Sequence, residues 1–311
     1  MLGAMKTRKI LWAYLFLTPQ LIFYLAFTIY PMVMSYVYVL YDWTGIGPLT
    51  RFVGLDNFRR VMDDPYFWKA FKNSFIYMSG KLVLEMPLGL LMALCVNSVL
   101  LRWKVFIRTI FFIPVVSTAA IVGVTMKIIF GNDKALFNNM LQFLGVIDKP
   151  VPWLLQSTSA MVILIIIGAW LHFGMTMIYW LASLQALPRE IYDAAKVDGA
   201  SVWQTFWRVT WPLLLPAAVV ILMLNVVSGF GAFDLAMTLT GGGPFFATTT
   251  IDMYIYDQVF GGGIPRIGIG SAAGMIFGLT VFVMTIGLAG LNKAVRNRSQ
   301  ATTTERKAET A

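Results

Sequence analysis

Gln185-Ala186-Leu187-Pro188-Arg189-Glu190-Ile191-Tyr192-Asp193-Ala194-Ala195-Lys196-Val197-Asp198-Gly199-Ala200, running on to Trp211-Pro212 and Pro216, lies between two long apolar runs. It is mainly polar and rich in helix formers. Joining two membrane helices takes only a few residues, so a structured connection of this length implies a task in the water phase. The spacing predicts two short helices broken at Gly199, which accepts the φ > 0 turn that other residues resist. Pro212 is expected to open the next helix, where its missing N–H is not needed.

The apolar runs on either side set the fold class. The chain has 311 residues, of which 58% are hydrophobic and 13% charged, with mean hydropathy +0.73. Such values belong to a membrane protein. A hydrocarbon layer of roughly 30 Å needs about 20 apolar residues at about 1.5 Å each. Six segments meet that length, near residues 11–39, 73–98, 106–130, 159–184, 212–235 and 270–292, and predict an all-α protein with six transmembrane helices. The first run continues from Ile10 to about Leu40 without a small-residue cleavage site, so it reads as a retained span rather than a signal peptide. Residues 1–10 form a basic N-terminus, residues 11–298 the transmembrane domain, and 299–311 a polar tail expected to be disordered.

The net charge of +9 is spread as topology signals flanking the apolar runs, which argues against nucleic-acid binding. With the N-terminus inside, 14 basic residues fall on the inner side and nine on the outer, Lys134 among the latter. That orientation places both termini and residues 185–211 in the cytoplasm. One cysteine, Cys95, and one histidine, His172, exclude an internal disulfide and a two-histidine metal site.

Asp193-Ala194-Ala195, Gly199 and Val209-Thr210-Trp211-Pro212 resemble the EAA motif of permease subunits in ABC-type importers. Asp193 stands where Glu is usual, Val209 where Ile is usual and Trp211 where Leu is usual, and each swap keeps charge or apolar character. Leu17-Thr18-Pro19, Tyr30-Pro31, Phe52-Val53-Gly54-Leu55-Asp56-Asn57-Phe58, Phe111-Phe112-Ile113-Pro114 and Leu239-Thr240-Gly241-Gly242-Gly243-Pro244 are similar to segments of the carbohydrate branch. The resemblance implies a type I importer permease fold in the cytoplasmic membrane, without its own motor. It also implies a second, related permease subunit, a pair of ATP-binding subunits carrying ATP and Mg, and an extracytoplasmic substrate-binding protein. Coupling to the ATPase would fall to Glu190, Asp193, Ala194, Ala195, Asp198, Gly199, Ala200 and Pro212. No Walker-type nucleotide sequence is present in this chain, and no cofactor of its own is expected.

In that family the solute pocket lies mid-membrane between the fourth and fifth helices. Carried onto this sequence, it points to Trp170, His172 and Thr176 on one helix and to Asn225, Ser228, Phe230 and Phe233 on the other. Hydroxyls take hydrogen bonds and sugar faces lie on aromatic rings, so such a lining suits a sugar. The small residues between them serve close helix packing equally well. A glycerol phosphodiester or polyol is the alternative solute, although a phosphate would want more cations than His172 supplies. Lys81 and Glu85, four residues apart within the second span, form a self-neutralising pair or, in a stand-alone ion-coupled carrier, a proton relay. Asp234 reads as an interfacial carboxylate.

Overall fold

The computed structural model describes residues 2–98, 102–131 and 135–309. Lys134 and the last two residues of the tail lie outside them. In chain order the α-helices are α1 (Leu2–Tyr24), α2 (Tyr30–Tyr38), α3 (Asp56–Met62), α4 (Pro65–Asn97), α5 (Lys104–Val116), α6 (Ala119–Phe130) and α7 (Leu136–Phe143). They continue with α8 (Ser157–Gln185), α9 (Arg189–Val197), α10 (Val202–Thr205), α11 (Trp211–Gly229), α12 (Phe233–Leu239), α13 (Ile251–Phe260) and α14 (Ile267–Glu309). Among the described residues, five helical stretches are long and apolar enough to cross a membrane: Leu11–Tyr38, Pro65–Asn97, Ser157–Gln185, Val202–Gly229 and Ile267–Val295.

The remaining expected span, at 106–130, is not one helix. α5 and α6 meet at 93°, with Ser117 and Thr118 extended between them. Pro114 removes one backbone donor from the last turn of α5, and β-branched Val115 and Val116 fit a helix poorly there. Beyond the break, α6 lies so close to α12 that a Cβ on Gly123 would strike Thr238.

Two prolines inside helical stretches are met another way. Residues 25–29 and 206–210 each form a π turn, whose wider ring closes from Tyr30 N–H to Leu25 C=O and from Trp211 N–H to Phe206 C=O. Pro31 and Pro212 follow directly, so each sits where the i→i−4 ladder is already interrupted. Pro212 thus stands in the first turn of α11, as expected, although the helix does not begin afresh there. The helical stretch starts at Val202 and passes through it to Gly229. The fifth span also ends earlier than its apolar run, because residues 230–232 leave the helix and Phe233 begins α12. The tail expected to be disordered is helical in its backbone to Glu309. α14 arrives already nucleated, and Glu305 to Glu309 are helix formers.

The chain divides into two compact units, Met1–Phe67 with Tyr254–Ile276 and Trp68–Met253 with Phe277–Ala311. In the first, buried Asn57 donates to Val39 C=O and Tyr41 C=O, and the Trp43 carbonyl accepts from Ile267 N–H. The second holds two apolar cores. One gathers Tyr77, Leu164, Ile167, Leu171, Leu235 and Leu239; the other Val96, Met177, Trp180, Leu184, Leu214 and Ile221. α8 contributes to both, which makes it the central helix of that unit.

Candidate functional site

Two places carry polar residues for which a purely structural reading of membrane helices gives no need. One is exposed and spans α9 and α10; the other is buried among α4, α8 and α11.

In the exposed segment, α9 starts after Pro188 and carries Glu190 in its first turn and Lys196 in its last, both favourable to the helix dipole. It ends in a Schellman arrangement: Gly199 N–H donates to Lys196 C=O and Ala200 N–H to Ala195 C=O, with Gly199 at φ +72°. No atom lies within 4 Å of where its Cβ would be, so glycine is kept there for its backbone alone. Ser201 then opens the next helix with a capping box, its Oγ accepting from Gln204 N–H while its own N–H donates to Gln204 Oε1. The result is the helix, Gly turn and helix expected of the coupling residues. Glu190, Asp193, Ala194 and Asp198 are exposed, Ala195 is buried, and Ala200 is half-buried. Asp193 pairs with Lys196 at 3.2 Å at the surface. Val197 and Val202 are each 89% exposed and Trp203 71%, an apolar tip at the turn. Trp203, Trp207 and Trp211 follow at four-residue spacing, edge against face, down the helix toward the apolar run.

The buried place is built by two stripes at four-residue spacing. Along α4 run Tyr77, Lys81, Glu85 and Gly89; along α8 run Gly168, His172, Thr176 and Trp180. The glycines set the contact. A Cβ on Gly168 would strike the Tyr77 hydroxyl, and one on Gly89 would lie 2.9 Å from Thr176 Cγ2. Between them Lys81 and Glu85, each 1% exposed, form an ion pair with Nζ 3.5 Å from Oε2. Thr176 donates to Glu85 Oε1 at 2.6 Å, and its oxygen lies 3.0 Å from Asn225 Oδ1 on α11. Asn225 Nδ2 in turn reaches Met86 Sδ. Three helices are thus tied through one carboxylate, one hydroxyl and one amide. His172 directs Nδ1 at Gly168 C=O and is close enough to Lys81 and Glu85 to feel both charges.

Of the residues expected to line a solute pocket, Thr176 on α8 and Asn225 on α11 meet across two helices. His172 shares the stripe one turn away. Trp170 is 41% exposed and, by helical spacing, points to the far side of α8. Ser228 is exposed and bonds its own turn at Asn225 C=O. Phe230 is buried edge-on against Phe75 and Phe277, a packing position, and Phe233 sits on α12 against the core. Lys81 and Glu85 were legible as a pair, but not as partners of Thr176. Tyr77 and Trp180 were missed, and the four-residue stripes were the signal that would have found them.

Residues 85–297 match the family described as the binding-protein-dependent transport system inner membrane component. The lactose transport system permease protein LacF of Rhizobium radiobacter is 34% identical over 249 residues, covering 79% of this chain and 83% of its own. The trehalose/maltose transport system permease protein MalF of Thermococcus litoralis is 34% identical over 285 residues, covering 91% and 94%. Among solved structures, a chain of a bacterial alginate ABC transporter in complex with an alginate pentasaccharide-bound periplasmic protein superposes with TM-score 0.79 at 25% identity, over 95% of this chain and 98% of that one.

Proposed function

We propose that this chain, which belongs to the binding-protein-dependent transport system inner membrane component family, is the permease subunit of an ATP-driven importer for a neutral sugar or oligosaccharide. The relatives above, named for lactose and for trehalose and maltose, match it over most of their length. The observation that carries the coupling role is the exposed helix, Gly199 turn and helix of residues 189–205, whose apolar tip of Val197, Val202 and Trp203 has no partner role inside a membrane. Placed in the cytoplasm with both termini, that tip meets one of two ATP-binding subunits, which hold the ATP and Mg. A second, related permease completes the pathway, and an extracytoplasmic binding protein delivers the solute. Closure of the ATP-binding subunits then moves α9 and α10, and the continuous helix from Val202 to Gly229 carries the displacement to Asn225 in the buried cluster.

A phosphate-bearing solute such as a glycerol phosphodiester fits less well, because Lys81 is already matched by Glu85 and His172 is the remaining cationic candidate nearby. The same spending of charge on each other and on Thr176 disfavours a proton relay in a stand-alone carrier. The test is to isolate the chain from native membranes in mild detergent and identify what stays bound. A second permease together with an ATPase supports the proposal. A chain recovered alone that takes up solute in liposomes without ATP contradicts it.

A further inference from the structure

The buried cluster leaves hydrogen-bonding capacity unspent. Glu85 Oε2 has no hydrogen-bond partner, although the Lys81 ammonium faces it at 3.5 Å. One turn beyond Thr176, the indole Nε1 of Trp180, also 1% exposed, has no acceptor. Orphaned polar atoms in a packed core are rare and call for an explanation. Here an open acceptor on α4 and an open donor on α8 lie along the same two stripes as His172.

That set has the chemistry of a sugar site. A carboxylate accepts from adjacent hydroxyls through its two oxygens, an indole N–H donates to a ring or hydroxyl oxygen, and aromatic faces cover C–H surface. One hydroxyl is already in place: the Thr176 Oγ1–H on Glu85 Oε1 at 2.6 Å occupies the position a solute hydroxyl would take. Lys81 gives the carboxylate a counter-ion at i−4, so the pair offers strong acceptors without a net charge.

We propose that Glu85 is a specificity-determining residue for the solute, accepting sugar hydroxyls that displace Thr176 when α4 and α8 part, with Lys81 as the counter-ion that keeps the path selective for uncharged sugars. This rests on the reading of the chain as a sugar importer permease. It adds α4, on the second span, to a pocket that the family resemblance implies between the fourth and fifth.

The experiment is uptake by the complete transporter in proteoliposomes, with lactose, trehalose and maltose as probes, each beside analogues lacking one hydroxyl. Glu85→Gln keeps the shape and removes the charge. It is expected to raise KM about tenfold with kcat changed less than twofold, as for loss of a charge-assisted hydrogen bond. The deoxy analogue that wild type handles worst should lose its disadvantage in the variant. Lys81→Gln/Glu85→Gln, which leaves no lone buried charge, should assemble and repeat the result if the single variant does not fold. Uptake by wild type with an unchanged KM in an assembled variant, or an equal penalty for sugar and deoxy analogue, overturns the assignment and leaves the importer reading standing. Wild type that takes up no neutral sugar or oligosaccharide in an assembled, ATP-hydrolysing complex overturns both.

Discussion

Asp193 with Lys196 and Glu85 with Lys81 are the same chemistry at nearly the same helical spacing, in opposite surroundings. The first pair is 71% and 77% exposed in its side chains; the second is 1% exposed in both. In water the first is worth roughly 0–1 kcal/mol and is screened by salt. The second sits where neither charge is tolerable without the other. The difference teaches how the molecule divides its work. α9 and α10 keep their apolar tip exposed at the surface, whereas in the cluster of α4, α8 and α11 each charge is held by the other and one carboxylate oxygen also joins α4 to α8.

The sharpest way to break that contrast is to remove one carboxylate from each region. Glu85→Leu leaves Lys81 buried and uncompensated, so thermal unfolding of the purified transporter should show a loss of about 3–5 kcal/mol. Asp193→Ala should cost less than about 1 kcal/mol. Restoring neutrality in Lys81→Met/Glu85→Leu should recover most of the loss, and equal effects of the two single changes would end the distinction.

A smaller effect probes the contact between the stripes. Gly89→Ala places a methyl 2.9 Å from Thr176 Cγ2 and 3.2 Å from the Met177 amide, and overpacking of this kind costs about 1–3 kcal/mol. Gly287→Ala in α14, which meets nothing within 4 Å, should instead gain up to about 1 kcal/mol from helix propensity. Unfolding of the two variants under the same conditions decides whether close approach is confined to the cluster.

Asp252, at the start of α13, is half-buried, and that burial pushes its carboxyl up to about 6. A raised native value means that the folded state holds the proton more tightly. Its stabilising effect is therefore complete below about pH 4 and is lost as pH rises through about 6. The change should be roughly 1–2 kcal/mol once its remaining exposure is allowed for, and Asp252→Asn should flatten that part of the stability profile. A flat profile in wild type would show that such burial does not disturb a carboxyl here.

The exposed turn should separate local stability from uptake. Gly199→Val forces a β-branched residue to φ +72°, at about 1–2 kcal/mol locally. Because α9 is exposed, the melting point of the transmembrane part should hardly move while ATP-dependent uptake falls sharply. A large drop in melting point with uptake preserved would make the turn structural.

Much of this was legible in order along the chain. Apolar length marked the spans, and Gly199 marked the break between two short helices, because those signals are local. The break at Ser117 and Thr118 was not legible, since residues 106–130 form one mainly apolar run and apolarity does not report a 93° bend. The π turn before Pro212 was not legible for a related reason: Pro212 marks the first turn of α11, but no residue type announces the π turn that joins it to α10. Phe230 and Phe233 carried the right chemistry but face the core, while Trp170 faces away, because periodicity along one helix cannot say which neighbour stands opposite. The joining of Glu85 to Thr176 across 91 positions is the extreme case.

The measurement that bears most directly on the importer account is ATP-driven uptake by proteoliposomes of the complete transporter with residues 193–199 scrambled at constant composition. Loss of uptake with the complex still assembled and its ATPase still turning over is the predicted result. Uptake at the wild-type rate would contradict it.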